Sequence, residues 1–265
     1  MIRDEYPTAC TVGADELPQD RPERQTRPAY LLQREVSSGT FGEIWEAVQL
    51  TLRRVVAVKR PRIPEGNDDP GEWQQIEQEF LREAMTAAQL DHPNIVPVYD
   101  LGRDAQGRPL LAMKLVEGNR WDELIQSEDR GSREFLVRRV SILVKIARAV
   151  AFAHSRGIVH RDLKPQQVMV GRFGEVYLMD WGLAVGLPST ELLRGPGAFV
   201  KPLAEASSPA GTAAFMAPEQ TRPVPDRIGV WTDIYLLGGT LYYILTGEPP
   251  PGNGDPCEAF ARAAR

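Results

Sequence analysis

Cysteine is almost missing: Cys10 and Cys257 are the only two in 265 residues, and they lie near opposite ends of the chain. No disulfide framework follows from such a pair, and free thiols suit a reducing compartment, so a cytoplasmic location is expected. Long apolar runs are missing as well. No stretch reaches the ~18 apolar residues of a membrane span. The start, MIRDEYPTAC, carries charges where a signal peptide needs an apolar core, so no membrane segment is expected in this chain. Basic excess is the third absence. Thirty-one Lys and Arg against 36 Asp and Glu leave a net charge of -5, which lacks the electrostatic footprint of a nucleic-acid binder. What is present is apolar bulk, 42% of residues, enough to bury a core as one large domain or as two lobes sharing a cleft.

Residues 1–28 are rich in Pro, Arg, Asp, Glu and Gln and poor in large apolar groups, which predicts a disordered tail. From Tyr30 the runs YLLQREV, EIWEAVQL and RRVVAVKR are short, alternating or β-branched, and predict an antiparallel meander. Asp69 before Pro70 reads as a cap and first position of a helix that continues to about Leu90, and HPN at 92–94 ends it. VPVYDLG and PLLAMKLVEG add two strands. A composition shift near Glu117 and Gly118 marks a hinge between a sheet lobe, about 29–116, and a helical lobe, about 117–265. In the second lobe a helix is expected from about Ser132 to Ser155, with apolar residues at 136, 140, 143, 147 and 150 and Gly157 closing it. IYLLGGTLYYILTG, too interrupted for a membrane, reads as a buried core helix.

Several residues could carry chemistry. The period of two in RRVVAVKR puts Val55, Ala57 and Lys59 on one face. On the first helix Ile76, Phe80, Glu83 and Ala87 share a stripe, so Glu83 is a carboxylate among apolar neighbours and Lys59 is its natural partner. VSSGTFGEI places Gly39 and Gly42 between two strands, where backbone amides could approach phosphate, although a plain hairpin turn is the blander reading. The stretch IVHRDLKPQQVMVGRFGEVYLMDWGLA is more specific. His160, Arg161, Asp162 and Lys164 precede the strand pair VMV and EVYLMD, joined by GRFG, and Asp180 ends that hairpin before a glycine. Two carboxylates brought together this way, one beside a lysine, suit proton acceptance from a hydroxyl and magnesium binding.

These motifs, with GTAAFMAPE and WTDIYLLG following in order, resemble the catalytic domain of a eukaryotic-like serine/threonine protein kinase of bacterial type. The resemblance implies an α+β, two-lobed fold: a small antiparallel β lobe with one key helix and a mainly α-helical second lobe. It implies transfer of the γ-phosphoryl of MgATP to Ser or Thr hydroxyls of protein substrates, with ATP and Mg2+ as cofactors. Under it Asp162 is the catalytic base, Lys164 a charge near the transferred phosphate, and Lys59, anchored by Glu83, the holder of the α and β phosphates. Asp180 and Gln167 become metal ligands. Ser37, Gly39 and Gly42 form the loop over the nucleotide, and Ile44, Ala57, Met113, Leu115 and Met169 line its base. Asp233 braces the backbone of the catalytic loop. Ser208 is the expected site of an activating phosphorylation, paired with Arg161, with Val185 standing where a second basic residue often helps.

Four departures from the family pattern bear on this. Ser37 replaces the first glycine of the loop, and Trp181 replaces a phenylalanine as an apolar plug behind Asp180. Gln167 replaces asparagine, one methylene longer than the usual magnesium ligand, which predicts a loss of rate before a loss of binding. Little chain follows Glu219 in APE, so late helices of the second lobe are expected to be missing, and with them the arginine partner of Glu219. The alternative reading is a pseudokinase, a nucleotide-binding scaffold with little turnover. A small-molecule phosphotransferase is the third, disfavoured by Lys164, Gly211 with Thr212, and APE.

Overall fold

The computed structural model describes residues 30–39, 42–62, 70–127, 133–193, 200–206, 209–221, 227–250 and 261. The expected tail at 1–28, the Asp69 cap, Ser132, Ser208 and both cysteines lie outside the described residues. A five-stranded antiparallel sheet is built from β1 (Tyr30–Gly39), β2 (Gly42–Gln49), β3 (Arg54–Arg60), β4 (Val98–Arg103) and β5 (Pro109–Met113), in the order β1-β2-β3-β5-β4. Alternation decides its faces. Val56 and Val58 are buried on one side with Ala47, Leu110 and Ala112, while Ala57 turns to the opposite side, towards Val96 and Met113. Helix α1 (Pro70–Ala88) packs on the sheet through Phe80 and Ala84, which meet Leu111 of β5 and Val98 of β4.

After β5 the chain runs extended to β6 (Gly118–Arg120) and then α2 (Trp121–Ser127), α3 (Arg133–Ser155), β7 (Ile158–Val159), β8 (Val168–Gly171), β9 (Val176–Leu178), β10 (Val185–Gly186) and α4 (Val230–Thr246). The run PLLAMKLVEG is therefore strand only as far as Met113. Helix α3 ends as expected: Gly157 has φ of 71° and donates its N–H to the His154 carbonyl at 2.9 Å. A Cβ there would also stand 2.8 Å from that of Thr190, so glycine is required twice over.

The stripe expected on α3 packs only in its second half. Leu136 and Val140 are 40% and 37% exposed, but Leu143 packs against the core and Val150 is buried in it, together with Arg139, Ile142, Ile146, Ala149 and Ala153. Apolar residues occur on several faces of this helix, so its own sequence leaves the choice open and its neighbours make it. Arg139 is tolerated inside because its guanidinium donates to the carbonyls of Ile244 at 2.9 Å and Ile125 at 2.5 Å, which lie in the last turns of α4 and α2. Helix α4 is also only half the buried element expected. Thr232, Asp233, Leu236, Thr240, Tyr243 and Ile244 are buried, but Trp231, Ile234 and Leu245 are each 58% exposed. Among the described residues no helix is long and apolar enough to cross a membrane.

Candidate active site

Two short β pairs aim the site. Strands β8 and β9 form a hairpin with Met169 opposite Tyr177, and the Met179 N–H donates to the Gln167 carbonyl at 2.8 Å just beyond it. This bond holds Gln167, at the end of the 3₁₀ turn Pro165–Gln167, beside Asp180. Strand β7 pairs with β10 and delivers His160, Arg161 and Asp162. Arg161 and Asp180 both have positive φ, 72° and 47°, a conformation that side-chain-bearing residues hold only when surroundings fix it. Asp233 supplies that constraint from the first turn of α4. It is fully buried, and its carboxylate accepts the N–H of His160 at 2.8 Å, the N–H of Arg161 at 2.9 Å and the His154 ring at 2.8 Å. From the other side Gln220 donates to the Arg161 carbonyl at 2.7 Å and to that of Ala210 at 2.9 Å.

Asp162 is held by four donors. Lys164 reaches Oδ2 at 2.7 Å and the Gln167 Nε2 reaches it at 3.2 Å, while Thr212 donates to Oδ1 through its N–H at 2.9 Å and its hydroxyl at 2.8 Å. Lys164 also contacts the Thr212 hydroxyl, so base, lysine and threonine form one closed cluster. The Asp180 carboxylate accepts the Gly182 N–H at 3.1 Å on Oδ1 and the Gln167 Nε2 at 3.2 Å on Oδ2. A Cβ on Gly182 would lie 3.3 Å from Asp180 Oδ1 and 3.5 Å from Glu83 Oε2, so a side chain there would crowd both carboxylates.

Lys59 and Glu83 form the expected ion pair, each side chain 11% exposed. Burial acts to lower the Lys59 pKa, but the charges of Glu83 and Asp180 keep it above the ordinary lysine value. Glu83 is also raised: burial pushes it up, Lys59 opposes, and Asp180 pushes it up again. Burial and Asp180 together thus outweigh Lys59 at Glu83, while Lys59 itself gains from both carboxylates. Burial pushes the Asp180 carboxyl up as well, yet Lys59, the Gly182 N–H, His160 and Lys164 hold it below the usual carboxylate range.

The apolar end of the cleft is a cluster of Ala57, Val96 and Met113 with Ile44, Leu115, Tyr177 and Met179 against it. Four of the five base-lining residues expected from the sequence meet there. Met169 is not among them, although it stands directly opposite Tyr177 across β8 and β9, and Tyr177 and Met179 are the members that this hairpin gives the cluster. In β1, Ser37 pairs with Ile44 directly after a shift of register between Glu35 and Ser37, and Gly39 pairs with Gly42. Gly42 has φ of 150°, and a Cβ would come within 2.4 Å of the Arg60 carbonyl oxygen. A cavity of about 480 Å³ opens on Asp162, Lys164, Gln167 and Asp180 and runs under α1 to Phe80. Trp181 is buried against His160, ring centroids 4.7 Å apart, as the expected plug. Among the described residues, Glu219 accepts the Thr232 hydroxyl at 2.7 Å.

Gln220 and His154 escaped the sequence reading. Both act through distances of tens of residues along the chain.

Comparison with known proteins gives a consistent result. The protein kinase domain matches residues 30–264. The chain is 35% identical over 236 residues to the serine/threonine-protein kinase PknD of Protochlamydia amoebophila, covering 83% of this chain and 23% of that protein. It is 33% identical over 215 residues to the serine/threonine-protein kinase PknB of Mycobacterium leprae, covering 80% of this chain and 31% of that protein. The chain thus spans less than a third of the length of these curated relatives, 23% of one and 31% of the other.

Proposed function

The chain belongs to the protein kinase domain family, and from that premise we propose that it transfers the γ-phosphoryl group of MgATP to Ser or Thr hydroxyls of proteins. The observation that carries this is the closed cluster of Asp162, Lys164 and Thr212, joined to Asp180 through Gln167, whose Nε2 stands 3.2 Å from an oxygen of each carboxylate. A carboxylate fixed on a loop by a lysine and a hydroxyl, open to a cavity, is what proton acceptance from an alcohol needs.

The family implies ATP and, as a rule, magnesium, and the donor set fits both. Asp180 and the Gln167 amide are hard oxygen donors of the kind magnesium takes when most of its remaining ligands are phosphate and water. Magnesium, when bound, supplies positive charge that neutralises the phosphates. Asp180 and Gln167 would hold it. Lys59, kept protonated by Glu83, would hold the α and β phosphates, and the strand ends at Ser37, Gly39 and Gly42 would lie over them. Ile44, Ala57, Met113 and Leu115 would receive the adenine. Asp162 would take the hydroxyl proton as the acceptor oxygen bonds to phosphorus and the bond to the leaving ADP oxygen breaks, with Lys164 offsetting charge on the transferred group. A boundary near residues 116–117 between the lobes, a preceding tail at 1–28 and a cytoplasmic setting belong to the same proposal.

The pseudokinase reading retains one specific support: Gln167 presents its amide nitrogen, not its oxygen, to both carboxylates. Labelled MgATP with a generic basic protein decides between the two. Phosphate on Ser or Thr, lost in Asp162→Asn by a factor of about 10² to 10⁴, is expected. Nucleotide binding without any incorporation would establish the scaffold instead.

A further inference from the structure

Gln167 is the residue at which this chain departs most from its family's chemistry, and its geometry is unusual for a metal ligand. Its backbone leaves no slack. The N–H donates to the Lys164 carbonyl at 3.0 Å and the carbonyl accepts the Met179 N–H at 2.8 Å, so the position of residue 167 is set by the 3₁₀ turn on one side and by the hairpin on the other. The side chain then spans the gap between the two carboxylates, and its Nε2 stands 3.2 Å from Asp162 Oδ2 and 3.2 Å from Asp180 Oδ2. An amide nitrogen has two hydrogens, one for each acceptor. An amide oxygen in the same place would face two anionic oxygens and be repelled.

Resting on the reading of Asp180 as the metal-binding carboxylate, we propose that Gln167 is a positioning residue that clasps Asp162 and Asp180 through its amide nitrogen, and that a divalent cation must break this clasp to occupy Asp180. A carboxamide turns either its N–H groups or its oxygen to a given point, never both. The clasp and metal ligation by Gln167 are therefore alternatives, separated by a turn of the amide and the loss of two hydrogen bonds to charged acceptors. Asparagine on the same backbone is shorter by one bond, roughly 1.5 Å. From there a contact to both oxygens exceeds hydrogen-bond reach, so an asparagine has no clasp to give up. The extra methylene thus changes the order of events. Gln167 relieves repulsion between the carboxylates while the metal is away, and it makes the cation compete for its place.

Two measurements on the purified chain test this without using turnover. Thermal melting in excess chelator reads the clasp alone: Gln167→Asn and Gln167→Leu should both melt about 6 °C or more below the parent, the shift expected from two lost hydrogen bonds to charged acceptors in a domain of this size. Manganese binding in the presence of ADP, followed by the paramagnetic resonance of the free ion, reads the competition. Gln167→Asn should bind manganese about tenfold tighter than the parent, whereas Gln167→Leu, with neither clasp nor ligand oxygen, should bind it no tighter than Gln167→Asn. Equal melting of all three proteins in chelator, or manganese affinity in Gln167→Asn no greater than in the parent, overturns the proposal. Asp180→Asn serves as the separate control. If that variant kept full manganese affinity, the metal assignment would fall and the competition with it, while the chelator melts would still decide whether the clasp exists.

Discussion

At the scale of single residues the site is a matter of how few cations serve how many carboxylates. Lys59 stands between Glu83 and Asp180, and its charged state persists through neutral pH because its pKa is raised. Replacing it by methionine should abolish transfer and leave two buried carboxylates facing each other. Both then gain raised pKa values, the folded state binds more protons than the unfolded one, and stability falls as pH rises from the unfolded carboxylate value of about 4. Unfolding free energies of Lys59→Met from urea titrations at pH 5 to 8 should therefore drop more steeply than those of the parent, to about 3 to 5 kcal/mol below it at neutral pH, the scale of a broken buried pair. An unchanged midpoint would mean that Lys59 and Glu83 are not paired in solution. In the parent Asp180 has the opposite sign: its lowered pKa makes a contribution that is complete above the unfolded value and is lost as pH falls through the folded one. Thr212 gives a cleaner test of the base. Thr212→Val keeps the N–H bond to Asp162 but removes the hydroxyl, and turnover should fall by about tenfold or more, the scale of one hydrogen bond to a charged group, while Thr212→Ser restores it.

At the scale of elements, the loop that carries Asp162 is held from α4 and α3 rather than by its own sequence. Asp233 takes two backbone N–H groups of that loop and the ring of His154. Asp233→Ala should cost about 3 to 5 kcal/mol in urea unfolding, because it leaves buried donors without acceptors. Arg139 performs a comparable service for the ends of α2 and α4. Its truncation in Arg139→Ala should lower unfolding free energy by about 2 to 3 kcal/mol with nucleotide affinity unchanged, since the two carbonyls it serves lie away from the cleft. A loss of nucleotide affinity in that variant would show that the helix ends are coupled to the site. The stripe expected on α3, of which Leu136 and Val140 stay exposed while Val150 packs, has the same origin. A helix with apolar residues all round carries no mark for the face that packs, and a buried arginine is invisible to a hydrophobic pattern.

At the scale of the whole molecule, a small apolar cluster from both lobes, Ile44, Ala57, Val96, Met113 and Leu115 with Tyr177 and Met179, closes one end of the cleft. A ligand that bridges it should stabilise both lobes together. MgATP at about 100 times its Kd should add about 2.7 kcal/mol and raise the melting temperature by about 5 to 10 °C; a shift in calorimetry confined to part of the unfolding transition would show that the lobes respond separately. The order of elements, the antiparallel sheet, the ion pair of Lys59 with Glu83 and the neighbourhood of Asp162 and Asp180 were legible in the sequence alone. Strand alternation, helical stripes and turn residues are local rules, and each acts within a few residues. The partners of Glu219 and Asp162, the absence of Met169 from the apolar cluster, the half-exposed α4 and the direction of the Gln167 amide were decided only by the tertiary structure. Each depends on which groups meet across tens of residues, and a hydrogen bond of 2.7 or 3.2 Å is settled by that meeting and not by the neighbours along the chain.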